Sequence, residues 1–167
     1  EVTTGLEVLL PHENGEDRYI LLGASPVRDE TGNILNGVKI MQDITSQKRL
    51  EQALRESEKR YRTQFDNFSE PATVWDRNGI LLMQNLVSAK NLGGRREDYL
   101  GRSIERIFGE AGQGYLQRIQ RVIDTGVQEN QEDIVDLPDG RRHFWTYMQR
   151  LQNPDGQYDA QIISYDT

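Results

Sequence analysis

The chain has 167 residues, a net charge of -7, 35% hydrophobic residues and no cysteine, with a mean hydropathy of -0.75. The missing thiols exclude disulfides, cysteine nucleophiles, thiolate metal sites and cysteinyl-flavin adducts, and two histidines, His12 and His143, are too few for a His-rich metal site. The acidic balance argues against nucleic-acid phosphates or an anionic membrane face as partner.

Gly5–Leu10 reads as a short strand, and His12 to Gly15 supplies turn residues. Arg18–Val27 and Ile34–Gln42 are two further strands around a turn at Asp29-Glu30-Thr31-Gly32. Three strands joined by tight turns predict an antiparallel meander. Asp43-Ile44-Thr45 then carries a helix N-cap signal. Ser46 to Phe65 contains no Gly or Pro and is rich in helix formers. Leu50, Leu54, Ser57, Tyr61 and Gln64 fall at alternating spacings of four and three. That weak seam fits either a solvated connector helix or a partner-facing coiled coil.

Pro71 follows the helix. Ala72–Trp75 and Ile80–Gln84 read as a hairpin about Asp76-Arg77-Asn78-Gly79. Short helices are predicted at Leu86–Leu92, Arg96–Leu100 and Ser103–Phe108, punctuated by glycines. A longer helix over Tyr115–Thr125 has Leu116, Ile119 and Ile123 on one face and Gly126 as its C-cap. Val127–Leu137, Arg141–Leu151 and Tyr158–Tyr165 are the closing strands. Two strands, crossing helices and three closing strands predict an α+β domain, a five-stranded antiparallel sheet with short helices on one face.

The chain repeats itself. Gly15–Thr45 and Gly140–Thr167 each run from a Gly turn through a strand, a polar turn and a second strand to a late Asp. A repeat roughly 124 residues apart indicates tandem domains, not a solenoid.

These motifs together resemble the PAS family. Its "RYR…F…D-x-x-G-x-I…N" pattern appears as Arg60-Tyr61-Arg62, Phe65, Asp76, Gly79, Ile80 and Asn85, and its "L-G-R-S" step as Leu100 to Ser103. The closing "D-x-x-G" turn and "D-I-T" end appear as Asp29 to Gly32 and Asp43-Ile44-Thr45, then again as Asp139-Gly140, Asp155-Gly156 and Asp166-Thr167. A Gly expected early in the last strand is Ala160, which narrows the space beneath the sheet. The resemblance implies three parts: residues 1–45 as the last three strands of an upstream PAS domain, 46–65 as a linker helix, and 66–167 as a complete PAS domain. Three strands with an uncovered face bury too little core alone, so the first part needs a covering partner.

No catalytic constellation is present, and the chain is read as a non-enzymatic regulatory fragment. His143 reads as a strand side chain, Arg95-Arg96 with Glu97-Asp98 as a mixed surface cluster, and Glu132-Asp133 as solvent-facing. The family's haem binders carry an axial His on the long helix, which has none here. No cofactor is predicted. The resemblance implies a space between helices and sheet, with Trp75, Leu92, Ile107, Phe108, Ile119, Ile123, Phe144, Met148 and Ile162 as candidate lining. They either surround an unidentified small ligand or simply fill the core. The opposite face, with Trp145, Tyr147, Leu151, Ile163 and Tyr165, is apolar enough for protein contact. Leu50, Leu54, Tyr61, Trp145, Tyr147, Ile163 and Tyr165 are the candidate homodimer residues.

The expected role is a sensory module of a larger cytoplasmic signalling protein. The resemblance implies a downstream output of histidine-kinase or diguanylate-cyclase (GGDEF) type. The alternative is a dimerisation or docking module without a small ligand. The first residue is Glu1 and no signal peptide opens the chain, so an excised piece of a soluble region is expected, with no direct membrane contact.

Overall fold

The computed structural model describes residues 3–11 and 17–167. The turn predicted at His12 to Gly15 lies outside them. The chain divides into two compact units, the first ending at Arg60 and the second starting at Tyr61.

The first unit is an antiparallel meander of β1 (Thr3–Leu10), β2 (Arg18–Arg28) and β3 (Ile34–Asp43), followed by the start of helix α1 (Thr45–Asp66). Its core is small, with Ile20 and Ile44 buried while Leu6, Leu9, Ile34, Val38, Ile40 and Met41 are exposed. Sheet and helix join through Asp43-Ile44-Thr45. The Asp43 carboxylate accepts from the Thr45 amide, 2.9 Å, and the Thr45 hydroxyl accepts from the Tyr19 amide, 2.9 Å. The Thr45 hydrogen bonds hold the Asp43 carboxyl below the usual carboxylate range. Lys48 reaches Glu7 at 2.7 Å, which ties the first turn of α1 to β1.

The second unit contains the rest of α1 and a five-stranded antiparallel sheet of order β5-β4-β8-β7-β6. The strands are β4 (Ala72–Trp75), β5 (Leu81–Gln84), β6 (Glu129–Leu137), β7 (Gly140–Gln152) and β8 (Tyr158–Asp166). Between β5 and β6 lie α2 (Leu86–Asn91), a 3-10 turn (Arg96–Asp98), α3 (Ile104–Phe108) and α4 (Ala111–Thr125). Asn85 organises this entry into the helices. Its side-chain oxygen accepts from the Ala72 and Ser88 amides at 3.0 and 2.9 Å, and its Nδ2 donates to the Glu70 carbonyl at 2.7 Å. The buried amide thus caps α2 and fixes the start of β4.

One turn recurs in both units. Asp29 accepts from the amides of Thr31 and Asn33, and Asp76 from those of Asn78 and Ile80. In the last hairpin that role belongs to Asn153, whose side-chain oxygen accepts from the Gln157 amide while Gly156 N donates to its carbonyl. The counterpart of Asp29…Gly32 is therefore Asn153…Gly156, and Asp155 takes no such part.

Among the described residues no helix is long and apolar enough to cross a membrane.

Candidate ligand-binding site

Strand register sets the inner face. Trp75 pairs with Ala160, Met148 with Ile162, and Thr146 with Ser164. Because side chains alternate along a strand, Thr73 and Trp75 on β4 share a face with Phe144, Thr146 and Met148 on β7 and with Ala160 and Ile162 on β8. Helix α4 lies on β7 and β8. Where it sits closest, Ile119, Val122 and Ile123 close the core with Met148 and Ala160.

Toward β5 and the short helices the packing opens into a cavity of about 90 Å³. Its walls include Trp75, Leu92, Phe108, Phe144 and Ile162, five of the nine residues the sequence suggests. Ile119, Ile123 and Met148 lie instead in the filled core, and Ile107 packs against that core from outside. The reason is the seat of α4: its C-terminal half rests on the sheet, and the fully buried Ala160 beside Trp75 lets that half close.

Sequence reasoning missed the polar part of the wall. Thr73, Gln84, Ser88, Asn91, Thr146 and Ser164 line the cavity beside the apolar residues. Trp75 Nε1 donates to Thr73 Oγ1 at 2.8 Å, which fixes the indole. Gln84 is fully buried and its Nε2 donates to the Arg96 carbonyl at 3.2 Å. The Arg96 guanidinium in turn pairs with Asp66, the last residue of α1. A cavity residue is thereby two contacts away from the end of the connector helix. Tyr115 joins the wall with its ring 5.5 Å from Phe108, edge on. Burial pushes its phenol up to about 12, so it stays neutral.

Just outside the cavity, Arg118 of α4 and Asp133 of β6 form a buried ion pair. This corrects the reading of Asp133 as solvent-facing; Asp133 sits on the same face of β6 as the cavity residues Val135 and Leu137. Glu132 is exposed, with His143 at 3.4 Å. Among the described residues no cluster of three or more His, Cys, Asp or Glu could hold a metal.

On the outer face Trp145 pairs with Tyr165 and Tyr147 with Ile163. Trp145 and Tyr165 are exposed, Tyr147 and Ile163 half-buried. Leu50 and Leu54 on α1 in the first unit, and Tyr61 on α1 in the second, are exposed.

Known structures share this architecture. A PAS domain of an HTR-like protein from Haloarcula marismortui is 25% identical, with a TM-score of 0.58 over 72% of this chain and 99% of that one. The PAS domain of BvgS from Bordetella pertussis is 17% identical, with a TM-score of 0.55 over 66% and 85%. VqmA from Vibrio cholerae, solved as a dimer, is 20% identical with a TM-score of 0.59 over 63% of this chain; VqmA is also solved bound to DPO. The chain spans about half the length of the VqmA chains it matches, 49% in one case. No curated protein matches it. The PAS fold family matches residues 65–167, and a second description, PAS domain, matches residues 3–46. With the sheet order, the helices on one face and these matches in hand, the chain belongs to the PAS family and serves as a sensory or regulatory module.

Proposed function

We propose that this chain is the input stage of a larger signalling protein, non-enzymatic itself and cytoplasmic, with a histidine kinase or diguanylate cyclase as output. A small molecule in the second unit's cavity biases the position of α1 and the packing of a homodimer. The observation that carries this reading is the connection Gln84–Arg96–Asp66. A ligand that displaces the Gln84 amide alters the carbonyl contact of Arg96 and so the ion pair that holds the end of α1. Such a ligand acts only insofar as it binds one of the two arrangements better than the other. VqmA bound to DPO is a fold-level precedent for a small ligand in this family. VqmA is also solved in a complex with ligand and DNA; the net charge of -7 here argues against DNA as a partner of this segment.

The exposed Trp145 and Tyr165 favour a second reading, in which the module only docks or dimerises. Native mass spectrometry of the purified chain, before and after denaturing desalting, separates the two. A retained small molecule supports sensing. An empty protein with no ligand-dependent change in hydrogen exchange at residues 61–66 supports docking alone.

A further inference from the structure

We infer that the cavity selects an uncharged single-ring molecule with a hydrogen-bonding edge, and that the Thr146–Ser164 pair reads that edge. The inference rests on the sensing role proposed above and names its ligand class.

The first observation is charge. Among the described residues no Asp, Glu, Lys, Arg or His lines the cavity. Two arginines outside the lining already have carboxylate partners. Arg118 is paired with Asp133, and Arg142, which lies over the Phe144 ring at 5.2 Å, is bound to Asp166 and to Asn91. A carboxylate or ammonium ligand would therefore lose its hydration without gaining a counter-charge, a cost of several kcal/mol or more.

Shape is the second. The aromatic rings of Trp75, Phe108, Tyr115 and Phe144 face the space, and a volume of about 90 Å³ leaves room for roughly one ring. Flavin and haem are far larger.

The third is the polar strip. Thr146 and Ser164 are cross-strand partners on the inner face. Thr146 is buried, 4% exposed. Both residues line the cavity. Each carries a hydroxyl that can both donate to and accept from a ligand atom. Gln84 on β5, the cross-strand partner of Thr73, and Ser88 on α2 also line the cavity and limit where a second polar group can lie.

The test uses the full chain titrated calorimetrically with benzamide, benzoate, benzylamine and benzene. Benzamide should bind at least about tenfold more tightly than benzoate or benzylammonium, which is about 1.4 kcal/mol. Thr146→Val, and independently Ser164→Ala, should weaken benzamide about threefold to tenfold and leave benzene unchanged, as expected for one lost hydrogen bond. If benzoate or benzylammonium matches benzamide, the uncharged class is wrong while ligand sensing stands. If benzamide binds but neither variant weakens it, the hydroxyl pair is not the reading element. If no probe binds and no molecule co-purifies, both this inference and the sensing role fall.

Discussion

Arg118 Nη1 lies 3.0 and 2.8 Å from the two carboxylate oxygens of Asp133, and both side chains are buried. Gln131 Nε2 adds a bond of 2.6 Å to Asp133, and Glu129 approaches Arg118 Nε at 3.5 Å. The pair links α4 to the edge strand β6 beside the cavity wall. Removing one partner leaves the other charge buried, whereas replacing both with apolar residues removes the desolvation cost as well.

Asp133→Ala should accordingly lower stability by about 3–5 kcal/mol, and Arg118→Met with Asp133→Leu should recover most of it. Both tryptophans, Trp75 and Trp145, lie in the second unit, so urea unfolding followed by their fluorescence reports on it. Asp136→Ala, which removes an exposed partner of Arg141, is the control and should leave the midpoint in place. Equal losses for the single and the double replacement would sink this account.

Gly112 and Gly114, two residues apart on α4, should respond to alanine with opposite signs. Helix propensity alone predicts a gain of about 0.8–1 kcal/mol at each. At Gly114 a Cβ meets nothing within 4 Å. At Gly112 it would lie 2.6 Å from Glu105 Cα and 2.8 Å from Ile104 O, backbone atoms that cannot swing aside. Gly114→Ala should stabilise; Gly112→Ala should destabilise by about 1–3 kcal/mol, because α3 must move. A rise in Tm for both variants would show that α3 and α4 are not packed this tightly.

The element order was readable from the sequence because turn chemistry is local. Asp76…Gly79, Gly126 after Thr125 and Pro71 after α1 each mark a boundary within a few residues. The site was readable only in its apolar part. Trp75, Phe108 and Phe144 stand out by size, whereas Thr146 and Ser164 look like ordinary solvent-facing strand residues until the β7–β8 register brings them together on the inner face. Asp133 was misread for a similar reason. It sits in an acidic run, and its partner Arg118 is on another element, 15 residues away. One signal was present: Arg118 interrupts the apolar stripe of Tyr115, Ile119 and Val122, and a cation on a buried helix face needs an anion. Ile119 and Ile123 were expected at the cavity because periodicity gives the buried face of a helix but not which of its turns rests on the sheet.

Tyr115 gives a test at alkaline pH. Its folded pKa is raised to about 12, against about 10 for an ordinary phenol, chiefly by burial and next by the nearby Asp133 charge. A raised pKa contributes stability that is complete below pH 10 and is lost as pH climbs through about 12. In a titration of tyrosinate absorbance, one of the seven tyrosines should ionise late, and Tyr115→Phe should remove that step. The variant should also flatten the fall in stability between pH 10 and 12. A late step that survives the substitution would assign it to another tyrosine.

Trp145 and Tyr165 are the exposed cross-strand pair of the outer face, continuous with the half-buried Tyr147 and Ile163. Large aromatic residues at the centre of a patch contribute most of the energy of an interface, whereas a side chain that is 48% exposed contributes less to the fold beneath it. Trp145→Glu should therefore convert a dimer into a monomer in sedimentation velocity, with a shift in Kd of about 30-fold or more, since hot-spot truncations cost at least about 2 kcal/mol. The thermal midpoint, measured where both forms are monomeric, should barely move. Leu54→Glu on α1 separates the alternatives, because a dimer held by the helix seam loses association with that change and keeps it with Trp145→Glu. A wild-type chain that stays monomeric at high concentration would remove the outer face as a self-association surface.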